Sequence, residues 1–312
     1  MYLAVAGSCA EDKANASGVE FADLTQLGLI EAGDYGASAI DIVLSPSEIV
    51  VGEFATTNTP AKSFSYASEG QDLPDFSSAN ETLNLTNLQS RGLAFGDNGN
   101  YLYVGTNIST RLYRYTLSTP YDIGTAGSRQ NSGNIISVPF QGIALHPDGD
   151  KMYVVSNTKL YVLTLSTNWQ ISSGVSQAAS FDLDDDTDDD GDTIGGATGI
   201  RFSGTGKKMY ISYAFDTSNT EAGTQGHSKV VQFNLSTAYE PASRSVASSL
   251  DLHPNIGYFS FTPPNPPSQP QASGIRALVS GLDFTADGQT LLVSSAHQDA
   301  QSSEYRLLRY GV

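Results

Sequence analysis

A chain of 312 residues, 39% hydrophobic and 10% aromatic, has enough apolar material for one large repeat array or two ordinary domains. Its formal charge of -17, from 33 acidic against 16 basic residues, repels phosphate backbones and argues against nucleic-acid binding. No run approaches the roughly 18 apolar residues of a membrane span, and the single Cys9 excludes an internal disulfide framework.

Residues 1–38 show no helical periodicity; Met1–Ala6 and Val19–Leu24 read as candidate strands and Gly33–Gly36 as a turn. From Ala39 a degenerate repeat begins. Its strands are expected at Ile40–Leu44, Glu48–Val51, Lys62–Tyr66 and the alternating Glu81–Leu85. Four clearer copies follow, at Gly92, Gly142, Gly199 and Gly281, and in each a second glycine comes seven residues later: Gly99, Gly149, Gly206 and Gly288. In the second of these, GIALHPDGDKMYVVSNTKLYVLTLSTNW, an apolar run meets a Pro-Asp-Gly turn and a second apolar run. A third, alternating run then closes on Leu165-Ser166-Thr167. The same tripeptide ends two other copies, at Leu117–Thr119 and Leu235–Thr237, and an aromatic follows each at the same offset: Tyr121, Trp169 or Tyr239.

Glycine in the turn supplies the left-handed backbone angle of a tight hairpin. A fourth strand is expected after each copy, at Ile135–Val138, Ala179–Leu183 and Val246–Leu252. Units of 50 to 57 residues with four antiparallel strands fit the blade of a β-propeller, and a blade must stack on others because it cannot bury both its faces alone. The fold class is therefore all-β, a propeller of four-stranded antiparallel blades starting near residues 39, 92, 142, 199 and 281. Five blades are expected, or six if residues 1–38 form one of their own. The last copy lacks its fourth strand. An N-terminal strand, placed at Met1–Ala6, is expected to pair beside Tyr305–Tyr310 and leave no open edge.

Two insertions break the spacing. Between Leu183 and Gly199 lies DDDTDDDGDTIGGAT, whose Asp186-x-Asp188-x-Asp190-Gly191 is the first half of a calcium loop; Asp192 could add a further oxygen. The twelfth position falls on Ala197, not a bidentate Glu, so an EF-hand is excluded and a looser Ca²⁺ site at Asp186, Asp188, Asp190 and Asp192 is the expectation, set against a merely solvated acidic loop. Between Leu252 and Gly281 lies a segment with five clustered prolines, which favour extended polyproline conformation over sheet pairing. It reads either as a surface crossover or as an arm displaying Tyr258, Phe259 and Phe261 to a partner.

Signals for catalysis are thin. The four histidines lack metal-ligand spacing, no Gly-x-Ser-x-Gly or Walker loop occurs, and Cys9 has no identifiable base. A propeller hydrolase with a metal in the central channel would need one inward Asp, Glu, Asn or His per blade. The strand-one positions Ala94, Ala144, Arg201 and Asp283 form no such set. No catalytic residue is assigned.

The unit Gly142–Leu145, Asp148-Gly149, Met152-Tyr153-Val154, Leu165-Ser166-Thr167 and Trp169 resembles a propeller repeat of structural proteins of tailed bacteriophages, marine ones especially, and of related bacterial surface proteins. The likeness covers residues 92–312, with 39–91 as a weaker extension. It implies a non-enzymatic virion component (tail, fibre or head decoration), contacting other virion proteins or its own copies and a host glycan or receptor. The N-terminus MYLAVAGSCAED has no basic region and too short an apolar segment for a secretory signal, which agrees with assembly in the host cytoplasm. The alternatives are a secreted or surface-anchored bacterial binding protein and, behind it, the metal-dependent hydrolase.

Overall fold

The computed structural model describes residues 20–23, 40–44, 48–53, 58–65, 81–86, 90–106, 110–156, 158–188, 196–214, 225–226, 228–252, 259–260, 276–284, 290–298 and 303–311. Nearly all of them are strand. After β1 (Glu20–Asp23), blade 1 is β2 (Ile40–Leu44), β3 (Glu48–Glu53), β4 (Asn58–Ser65) and β5 (Glu81–Thr86). Blade 2 is β6 (Ser90–Gly96), β7 (Tyr101–Thr106), β8 (Arg111–Thr116) and β9 (Gln130–Asn134). Blade 3 is β10 (Gly142–Leu145), β11 (Lys151–Ser156), β12 (Lys159–Leu165) and β13 (Val175–Asp182). Blade 4 takes β14 (Ala197–Phe202), β15 (Lys208–Ala214), β17 (Ser228–Leu235) and β18 (Arg244–Asp251), while β16 (Gln225–Gly226) and β19 (Phe259–Ser260) pair separately. The last sheet is β20 (Arg276–Phe284), β21 (Thr290–Gln298) and β22 (Ser303–Gly311), completed by β1.

The innermost strands pack in the cyclic order β2, β6, β10, β14, β20 and back to β2, so the five four-stranded sheets close a ring. Closure comes from the N-terminal side as expected, but through Glu20–Asp23 lying antiparallel on Arg306–Arg309. The segment Met1–Ala6 lies outside the described residues. The fourth strand of blade 2 also differs: β9 is Gln130–Asn134, polar and partly exposed, and not the apolar Ile135–Val138. Ile136 and Phe140 are buried in the crossover between blades, where the ring's interior needs them more than the rim does.

The core is divided between blades. In β11, Met152 and Val154 pack toward blade 2, whereas Tyr153 and Val155 pack toward blade 4. The period of two along a strand thus assigns alternate side chains to the two neighbours. That is why strands such as β7 and β11 are buried along almost their whole length. At the axis the sheets come so near that a methyl group on Gly142 would fall 2.6 Å from the Gly199 Cα. The first glycine of the repeat is the condition for that approach.

The second glycine belongs to a joint. Gly149 has φ 73°, and its carbonyl accepts the Trp169 N–H at 2.8 Å while the indole lies over the glycine. Gly99 with Tyr121 and Gly206 with Tyr239 repeat this bond at 2.9 Å each. The capping aromatics themselves take positive φ, 67°, 65° and 58° for Tyr121, Trp169 and Tyr239. That strain is offset by the bond and by ring packing on the turn. The carbonyls of two of these aromatics then accept from the preceding blade: Tyr103 Oη donates to Trp169 O at 2.6 Å and Tyr153 Oη to Tyr239 O at 2.7 Å. Burial pushes both phenols well above the usual tyrosine range, so they remain donors at any physiological pH. Glycine, Leu-Ser-Thr-x-aromatic and strand-two tyrosine therefore recur together because they touch one another.

Gly149→Ala should lose about 2 kcal/mol or more, since a side chain at positive φ is strained and its Cβ meets the Trp169 ring. Urea denaturation of the two proteins checks this; an unchanged midpoint would mean the turn relaxes freely.

Candidate functional site at the ring axis and loop face

An innermost strand is an edge strand, so alternate carbonyls point into the channel without sheet partners. In this protein one side chain collects them. Arg201, on β14, donates from Nη1 to the carbonyls of Ile143 at 2.7 Å and Ile200 at 2.8 Å. Its Nη2 donates to those of Ile42 at 3.0 Å and Leu93 at 3.1 Å. Its Nε lies 3.0 Å from Asp283 Oδ1. Asp283 in turn accepts the Leu44 N–H at 2.8 Å through Oδ2. Every nitrogen of the guanidinium is engaged, and the partners come from all five sheets. Val43, Ala94 and Ala144, at the matching strand-one positions, are small and buried, which leaves room for the one long side chain.

The two ends of the ring differ in kind. Turns between first and second strands, and the Leu-Ser-Thr bends between third and fourth, lie at one end and are short. Connections between second and third strands, and crossovers to the next sheet, leave from the other. Three long connections, 183–196, 215–227 and 253–275, follow β13, β15 and β18 there, around blade 4; 24–39, after β1, leaves from the same end, and 66–80, between β4 and β5, from the opposite one. We call the end with the three connections the loop face.

The acidic insertion is rooted by cations of the protein. Lys159 pairs with Asp182 on the exposed rim. Arg244 donates from Nε to Asp186 Oδ2 at 2.7 Å, binds the Asp182 carbonyl at 3.1 Å and lies over the Phe181 ring. Asp188 turns inward: Lys229 Nζ and Tyr213 Oη both donate to its Oδ2 at 2.6 Å, with side-chain exposures of 0% for Asp188 and 2% for Lys229. Asp184 and Asp185 remain exposed.

Of the calcium set read from sequence, Asp186 and Asp188 thus hold Arg244 and Lys229, while Asp190 and Asp192 lie outside the described residues. Among the described residues, no three His, Cys, Asp or Glu side chains are grouped for a metal ion. Phe259 lies on β19, its backbone paired with Gly226; Tyr258 and Phe261 lie outside the described residues. His146 occupies the turn face, its ring edge-on to Tyr239 at 4.7 Å. Sequence reasoning missed Arg201 and Lys229. A signal for Arg201 was present, since a long cation at a strand-one position otherwise filled by small residues calls for acceptors at the axis. Lys229 sits in an ordinary alternating strand and gave none.

No family model matches the chain, and no curated protein matches it. Among solved structures, a functionally unknown protein from Desulfotomaculum acetoxidans is 13% identical over 86% of this chain and 71% of that one, with a TM-score of 0.43. The periplasmic gluconolactonase of Pseudomonas aeruginosa gives 13% identity, 86% and 70% coverage and 0.43. A putative 6-phosphogluconolactonase from Bacteroides uniformis gives 13%, 84% and 69%, and 0.40. Likeness at this level concerns the fold. The expectation of a virion structural protein is corrected: two of these neighbours bear lactonase names and the third is of unknown function, and the repeat reports architecture alone.

Arg201→Leu should cost about 3–5 kcal/mol, because the Asp283 carboxylate and the channel carbonyls lose their common donor, and Arg201→Lys should recover only part of this. Chemical denaturation of the three proteins measures both. With Asp186 and Asp188 already paired, millimolar Ca²⁺ should raise Tm by less than about 2 °C. A larger rise would place an ion on the insertion.

Proposed function

We propose that the protein is a non-enzymatic binding propeller, of the kind secreted or anchored at a bacterial surface, and that its loop face recognises a neutral glycan. The observation that carries this reading is the gathering of three long connections, 183–196, 215–227 and 253–275, at one end of a single blade, blade 4. Recognition surfaces sit on loops held by a rigid scaffold.

The axis supports a binding role over a catalytic one. A channel-centred hydrolase needs free ligands or bases at the axis, and here the axis carries a guanidinium whose partners are the channel's own carbonyls and Asp283. A divalent cation placed there would meet that fixed positive charge. The chemistry of the connections favours sugar. Exposed Asp184 and Asp185 offer acceptors to hydroxyl groups, the sequence of the proline-rich connection adds Tyr258, Phe259 and Phe261, and the acidity of the chain disfavours anionic ligands.

Two measurements test the reading. A glycan array probed with the full chain should show binding that is lost when 184–187 is replaced by Gly-Ser residues and circular dichroism is unchanged. Incubation with glucono-δ-lactone, with and without added divalent metals, should give no hydrolysis above the spontaneous rate. Enzymatic turnover of the lactone, or an array without any specific signal, overturns the proposal.

A further inference from the structure

The roots of the three connections around blade 4 meet at one corner. Ser228 and Lys229 open β17, directly after the 215–227 connection. Lys229 stands opposite Tyr213, at the other root of that connection, and their side chains share Asp188 of the acidic insertion. On the backbone side, the Ser228 carbonyl accepts the Leu252 N–H at 2.9 Å, at the start of the proline-rich connection. The Ser228 hydroxyl accepts the Val279 N–H at 3.4 Å, on the β20 strand into which that connection leads. The β16–β19 pairing ties the second and third connections again, Gly226 to Phe259.

We infer that the Ser228–Lys229 corner is a positioning node that couples the described roots of the three connections, 184–188, 225–226 with 228–229, and 252 with 259–260 and Val279, with the Lys229–Asp188–Tyr213 cluster as its lock; this rests on reading the loop face as the binding surface. A buried ion pair contributes little net stability compared with apolar residues of like volume, yet breaking it from one side is costly. Such a pair is suited to fixing one arrangement. Asp188 is the inward-turned anchor of a segment whose neighbours Asp184 and Asp185 face water, so its position decides where residues 184–188 lie against blade 4. Because Lys229 continues directly from Ser228, a displacement of Lys229 moves the acceptors that hold both roots of the proline-rich connection.

Hydrogen–deuterium exchange on the full chain tests the coupling. Lys229→Met should raise exchange by about tenfold or more in 184–188, in 225–226 and at Leu252 and 259–260 together, while the exposed-pair control Lys159→Met should affect 182–188 alone. The double variant Lys229→Met, Asp188→Leu removes both buried charges. It should recover thermal stability but leave the three segments exchanging fast and independently. If Lys229→Met fails to fold, the double variant and Asp188→Asn carry the test. Exchange that rises in 184–188 alone, or protection fully restored in the double variant, overturns the node. Coupled exchange without any glycan binding would sustain the node and remove the binding reading; glycan binding that survives uncoupled loops would do the reverse.

Discussion

One guanidinium closes this ring. A propeller of short inner strands leaves a row of carbonyls facing its channel, each of which costs free energy if it is neither hydrated nor bonded. Arg201 answers four of them at once and spends its remaining nitrogen on Asp283, which reaches back to the Leu44 amide. The geometry works only because three neighbouring positions carry Val43, Ala94 and Ala144 and because Gly142 and Gly199 let the inner strands approach. Small residues, close approach and a single long donor are thus one solution, and none of its parts makes sense without the others.

From that axis outward, the repeat is a sequence of joints. In blades 2, 3 and 4 the turn glycine is covered by the blade's own aromatic, and in blades 3 and 4 that aromatic's carbonyl is held by the tyrosine of the blade before. Where the repeat degenerates, the joint changes with it. Blade 1 has Val50 in place of the tyrosine, and the final sheet ends without the Leu-Ser-Thr bend, so Tyr210 packs on Phe284 instead of reaching a cap. The ring is closed at that weak end by the four residues of β1.

Much of this was legible in the sequence, and the reasons are specific. The glycine pairs and Leu-Ser-Thr tripeptides marked the blades because each has a fixed geometric duty, and even the degenerate blade 1 was placed from its alternation. Outer strands were legible only where they carry apolar residues. β9, QNSGN, has no period-two signal, and the apolar Ile135-Ile136 beside it drew the assignment away. Val19–Leu24 was legible as a strand, but nothing in its residues marked it over Met1–Ala6 as the closing one, since a rim strand is defined by edge pairing more than by burial. The spaced aspartates read as a cation site from spacing alone, since their partners Arg244 and Lys229 are 58 and 41 residues away and come near only in the fold.

The two faces divide the work of the sequence. At the turn face of blades 2, 3 and 4 the glycine, its aromatic and the strand-two tyrosine are fixed by joints, so variation in them costs stability. At the loop face a connection needs only secure roots, and blade 4 supplies them through Lys229, Tyr213, Arg244 and the Ser228 backbone. Length and chemistry beyond those roots are free to differ. Arg201 fixes the inner strands β14 and β20 into which two of these connections lead, so the axis supplies a firm root on one side and the rim strands β13 and β18 supply the other. The axis and the roots of the connections are therefore parts of the same arrangement, and the blades differ most in the chain that lies between those roots.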